Sequence, residues 1–122
     1  MNEFEIIFYE REDGTIPVQE FLDSLDVKMR AKMVRIIMML EANGYELREP
    51  YSKSLSSEKG IMELRAKVGS DISRVLYFFI IGKKAVLTNG FVKKTQKTPK
   101  SEIEKAQNYR ADYLRRKGNK DE

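Results

Sequence analysis

Two arginines and a run of lysines are the residues of this sequence best suited to chemistry. Arg65 and Arg74 fall in successive strand-like runs, and Lys93, Lys94, Lys97 and Lys100 lie in the segment FVKKTQKTPK just beyond a third. A guanidinium offers paired planar donors that match phosphate oxygens, and an ammonium supplies compact charge. Such groups suit holding a nucleic-acid backbone, or stabilising charge on a phosphoryl group in transfer. Each also has a plainer role. Arg65 can pair with Glu63, the lysines can form a solvated face, and Phe91 can pack rather than stack on a base. Arg74 sits among Leu76 and Phe78 on one side of its strand, which sets it apart from an ordinary surface residue.

The 122 residues include neither histidine nor cysteine. That excludes imidazole from any acid, base or ligand role, and it excludes thiol nucleophiles, disulfides and cysteine-based metal sites. An ordinary lysine is too fully protonated near neutral pH to be an efficient base unless neighbouring cations lower its pKa. The Glu63 carboxylate and the Tyr77 phenol are the alternative acid/base groups, with arginine pairing and core filling as their structural roles.

The net charge of +4 hides a strong asymmetry. Residues 1–26 carry eight acidic side chains against Arg11, a net of −7, whereas residues 83–120 carry twelve Lys or Arg against three acids, a net of +9. A polyanion would meet the basic end and be repelled by the other. No early signal-like stretch and no run of eighteen apolar residues is present, so a cytoplasmic protein without a membrane partner is expected.

These groups must be positioned by a scaffold, and the periodicity predicts one. Residues 61–68 alternate, with Met62, Leu64, Ala66 and Val68 on a core face and Glu63, Arg65 and Lys67 on a polar one. Residues 72–81 read as an interior strand and residues 85–92 as its antiparallel neighbour, joined through Gly82, Lys83 and Lys84. Residues 3–9 supply a first strand. Pro17 opens a short helix to Leu25, and Asp26 caps a longer one ending at Asn43 and Gly44, with Met29, Met33, Ile36, Ile37 and Leu40 buried and Arg30, Lys32 and Arg35 opposite. Residues 45–59 read as a loop with one helical turn. Thr98 and Pro99, or Ser101 with Glu104, start a final helix whose cationic end at Arg115, Arg116 and Lys117 precedes Gly118. The fold class is α+β, a single domain over residues 1–122.

The combination MELRAKVGSDISRVLYFF, then LTNGFVKKTQKTPKSEIEKA, then ADYLRR, resembles the phage-derived Gp49-like, HigB-like branch of the RelE/ParE toxin superfamily over almost the whole chain. The resemblance implies a RelE-like toxin fold: a small, mostly antiparallel sheet with amino-terminal helices on one side and a carboxy-terminal helix. It implies a type II toxin that cleaves mRNA on the ribosome without metal, attacking the phosphate with the ribose 2′-hydroxyl. A helix-turn-helix antitoxin of the HigA/Xre type would neutralise it, and operator DNA would be met only through that complex. Carried onto this chain, Arg65, Arg74, Lys94 and Lys97 become catalytic candidates, and Lys53, Lys93, Phe91 and Lys100 RNA-binding ones. The lack of histidine departs from some relatives. A ParE-like inhibitor of DNA gyrase and an inactive antitoxin-binding regulator are the alternative readings.

Overall fold

The computed structural model describes residues 3–55, 60–93 and 97–120. In chain order they form β1 (Glu5–Phe8), α1 (Pro17–Ser24), α2 (Val27–Asn43), a single 3-10 turn at Gly44–Glu46, β2 (Ser52–Ser54), β3 (Met62–Val68), β4 (Asp71–Ile80), β5 (Lys84–Lys93) and α3 (Lys100–Lys120). One sheet has the order β1-β5-β4-β3-β2, in which β1 runs parallel to β5 and every other pair is antiparallel. This is the α+β architecture of a RelE-like fold. None of the described helices is long and apolar enough to cross a membrane.

The helical layer follows from local chemistry. Pro17 occupies the start of α1, where its missing N–H costs nothing. Asp26 Oδ1 accepts from the Met29 amide at 2.9 Å, a cap worth about 1 kcal/mol. Arg30 is only partly exposed and donates to the Leu22 and Leu25 carbonyls at 2.9 Å, closing the open end of α1 against α2. At Gly44, φ is 54° and a Cβ would lie 2.0 Å from the Phe4 ring, so only glycine ends α2 here.

Both faces of the sheet are covered. Met33, Ile36 and Leu40 of α2 and Val18 and Leu22 of α1 pack on Leu64, Ala66, Val75, Tyr77 and Leu87. On the other face Ile103 and Ala106 of α3 pack with Leu76, Phe91 and Ile61, while Tyr109 and Tyr113 join Phe78 and Val86. The alternation in β3 therefore separates two interiors rather than a core from solvent at its start: Glu63, on the expected polar face, is 1% exposed. A polar side chain tolerates burial when its hydrogen-bonding groups are met, and sequence alternation records residue type without saying whether such partners exist.

A bulge adjusts β5 for this second layer. Leu76 pairs with Asn89 but Tyr77 pairs with Leu87, leaving Thr88 as the extra residue. The Thr88 hydroxyl lies 2.7 Å from Asn89 Oδ1 and 3.1 Å from the Leu76 carbonyl. Beyond the bulge Asn89 turns to α3 and donates to the Glu102 carboxylate and carbonyl at 3.1 and 3.2 Å. The start of α3 is thus fastened to the strand that carries the lysine-rich end.

Candidate nucleic-acid interface

Register decides which candidates share a face. Across β3, β4 and β5, Arg65 stands beside Arg74 and Arg74 beside Phe91; one row further along, Lys67, Ile72 and Lys93 align, and one row back, Lys53, Glu63, Leu76 and Asn89. Adjacent strands are about 4.8 Å apart, so each row brings its side chains within reach of neighbours. Arg65, Arg74, Phe91, Glu63, Lys53 and Lys93 all belong to the α3 side. Tyr77 belongs to the opposite face, where it is 1% exposed and its hydroxyl lies 2.5 Å from Ser52 Oγ. Burial raises the Tyr77 pKa, and the Ser52 bond offsets part of that rise.

The two arginines have different situations. Arg74 is fully buried, with Nη1 3.4 Å from Glu63 Oε2 and 3.2 Å from the Thr98 hydroxyl oxygen. The Thr98 hydroxyl in turn donates to Glu63 Oε1. Burial opposes the charge on Arg74, Glu63 supports it, and Arg65 adds a smaller repulsion, leaving its pKa below the ordinary arginine value. Arg65 Nε lies 3.2 Å from the same Glu63 carboxylate, but its side chain keeps 17% of its surface exposed. Glu63 is therefore the hub of a cluster that buries one arginine and orients the other toward the surface.

Arg65 is among the residues that line a cavity of about 250 Å³ at a corner of the sheet, where residues of the two faces meet. The corner exists because β2 is only three residues long and its last pairing is Ser52 with Leu64. Past it, the Arg65 amide donates to the Tyr51 carbonyl at 2.9 Å, and β3 then continues without an outer strand among the described residues. Lys32 and Ile36 of α2, Pro50 and Tyr51, and Lys67 and Ile72 complete the lining. Lys32 Nζ donates to the Lys67 carbonyl at 2.6 Å, tying α2 to this edge. Three cationic residues, Tyr51 and the apolar Ile36, Pro50 and Ile72 thus line an open space that suits a phosphate and an adjoining base or sugar.

Among the described residues, none of the remaining candidates lines this cavity. Lys53 on β2, Lys93 at the end of β5, Lys97 before α3 and Lys100 at its start are exposed, and Phe91 is partly buried against the cluster of Ile103 and Ala106. Lys94 lies outside the described residues. The Pro99 carbonyl accepts from the Glu102 and Ile103 amides at 3.1 and 3.2 Å, so α3 starts from Pro99 while the Thr98 side chain serves the Glu63 cluster. Sequence reasoning did not nominate Lys32, Tyr51 or Lys67. Lys67 had a signal, standing two residues after Arg65 in an alternating strand; Lys32 and Tyr51 reach the groove only through tertiary packing.

Among the described residues no group of three or more carboxylates is placed to hold a metal ion. The chain matches no curated protein. The model of the family described as Phage derived protein Gp49-like matches residues 20–111, a span that contains the arginines, Glu63, Lys67 and the lysine segment. The chain belongs to that family, which is part of the RelE/HigB-like toxin group, and it is accordingly a toxin of the toxin–antitoxin kind with an antitoxin as partner.

Proposed function

We propose that the chain is a ribosome-dependent mRNA endoribonuclease of a type II system, neutralised by a helix-turn-helix antitoxin of the HigA/Xre type. The observation that carries this reading is the placement of Arg65 in a groove with Lys32 and Lys67, its guanidinium held by a buried carboxylate. A preorganised cation does not have to reorient as negative charge builds on a phosphate, which is the main source of such stabilisation. In the reaction the ribose 2′-oxygen attacks phosphorus, the P–O5′ bond breaks, and the products are a 2′,3′-cyclic phosphate and a 5′-hydroxyl. The proton lost from the 2′-hydroxyl must be taken up and one must reach the leaving O5′.

Arg65 binds the scissile phosphate, and Lys67, which lines the same groove, is the candidate donor to the leaving oxygen. Arg74 supports Arg65 from behind through Glu63. Lys93, Lys97, Lys100 and Lys53, with Lys94, hold flanking phosphates, and Tyr51 and Phe91 offer rings for base contacts. A groove that binds and orients a phosphate gains most from a substrate already held in line, as mRNA is on the ribosome.

The test is transcript cleavage mapped by primer extension, with and without translating ribosomes, alongside a gyrase supercoiling assay. Cleavage that needs ribosomes and falls in Arg65→Ala and Lys67→Ala supports the reading. Growth arrest with intact transcripts and inhibited gyrase would transfer the chain to the ParE-like alternative. Antitoxin binding with both assays negative would make it a regulator.

A further inference from the structure

Both poles of α2 are apolar. Met29, Met33, Ile36 and Leu40 face the sheet and are buried. On the pole turned away from it, Val27, Ala31, Val34, Met38 and Ala42 follow at steps of four, three, four and four residues, which sets them in one line along the helix. All five are exposed, Val27 to 78% and Met38 to 60%. Isolated exposed apolar residues are ordinary, but an unbroken row over about 22 Å of helix has the spacing of a seam that meets another helix.

A row of cations runs along one side of this seam. Lys28, Lys32 and Arg35 repeat the same four-and-three spacing one position on. Toward the amino-terminal end of α2 an open depression of about 810 Å³ separates the helix from Val68 and Gly69, at the turn between β3 and β4. Lys32 and Lys67 line both this depression and the Arg65 groove.

We propose that the antitoxin docks on α2 as an amphipathic helix, its apolar stripe on the row from Val27 to Ala42 and a line of its carboxylates against Lys28, Lys32 and Arg35. Charge selects this occupant. In a two-fold antiparallel pair of this chain the same flanks meet, so the three cations would face their own copies. A nucleic-acid backbone would satisfy the cations and leave the apolar row in water. The docked helix also takes up Lys32 and Lys67, so antitoxin and mRNA exclude one another at the groove; this consequence, unlike the docking, rests on the ribonuclease reading.

Isothermal titration of the full-length chain with its purified cognate antitoxin tests the surface. Two variants, Val34→Glu with Met38→Glu and Lys28→Glu with Arg35→Glu, change only exposed side chains, and thermal melts check that each still folds. Each pair is expected to weaken binding by about 100-fold or more, because a carboxylate buried against an apolar or anionic surface loses its hydration without a partner. Ile81→Glu, on the exposed β4–β5 turn, should stay within about threefold, as rim and remote changes do. The Val34/Met38 variant should cleave transcripts and escape neutralisation. Unchanged antitoxin affinity in that variant overturns the proposal, as does a parental dimer that it dissociates while antitoxin affinity holds. Loss of binding in a chain that cleaves nothing upholds the docking surface and defeats only the ribonuclease reading.

Discussion

The Glu63 carboxylate lies 3.4 Å from the Arg74 guanidinium, and solvent reaches neither side chain to more than 1%. An ion pair so enclosed cannot lose one member cheaply. Removing Glu63 leaves a buried cation, and removing Arg74 leaves a buried carboxylate with fewer donors. Glu63→Leu and Arg74→Met should each cost about 3–5 kcal/mol, whereas the double variant Glu63→Leu with Arg74→Met should lose much less than the two single changes combined. Urea denaturation of the four proteins in a double-mutant cycle checks this; additive losses would show that the pair is not coupled.

Arg65 shares the same carboxylate but stands partly in solvent, so its loss should separate activity from stability. Arg65→Ala should lower ribosome-linked cleavage by about 10²–10³-fold while costing about 1 kcal/mol or less of stability. Arg65→Lys should rescue little, because a lysine offers a point charge where the groove presents a planar fork. Equal loss of cleavage and folding in Arg65→Ala would assign Arg65 to the scaffold instead.

The two cases mark what the sequence made legible. The amphipathic stripe of α2, the Asp26 cap and the β3–β4–β5 meander all rest on local sequence pattern, and the structure has them within a residue or two. Ser52–Ser54 has no apolar pattern and reads as loop in the sequence; its strand geometry in β2 comes from pairing with β3. Burial of the Glu63 face depends on where α3 lands, which is fixed by the Asn89–Glu102 contact and by tyrosines far along the chain. The groove escaped for the same reason. Lys32, Tyr51 and Lys67 are distant in sequence, and only the shortness of β2 leaves the corner where they meet.

α3 is held at its far end by a different network, which predicts a pH dependence. The Tyr9 hydroxyl donates to Asp112 Oδ2 at 2.6 Å, its ring stacks on Tyr109 at 4.6 Å, and Arg116 approaches the same carboxylate at 2.8 Å. Burial, then the bond to Asp112, pushes the Tyr9 pKa from 10.0 to about 12. Between these values the unfolded chain has released a proton that the folded chain retains, so stability falls as pH rises from 10 toward about 12 and is intact below. Asp112 is shifted downward, chiefly by the Tyr9 bond, and its contribution is lost in acid, as pH falls below 3.8 through the depressed value. Denaturation midpoints across pH should show that Tyr9→Phe flattens the alkaline fall. An unchanged alkaline slope in the variant would place its origin elsewhere.

The contact between α1 and the sheet is set by a missing side chain. A Cβ on Gly90 would lie 2.3 Å from the Phe21 ring, closer than any relaxed packing allows. Gly90 stands opposite Val75 on β5, directly before Phe91 and the lysine segment, so displacing α1 there also strains the strand that leads to the candidate site. Gly90→Ala should therefore destabilise by about 1–3 kcal/mol through overpacking, despite alanine's better fit to a strand. Phe21→Leu removes the ring atoms that the new methyl would meet. The double variant Gly90→Ala with Phe21→Leu should accordingly be more stable than Gly90→Ala alone, a reversal that thermal melts can read directly. If the second change only adds to the first loss, the clash is relieved by movement of the backbone, and the seat of α1 is not what Gly90 protects.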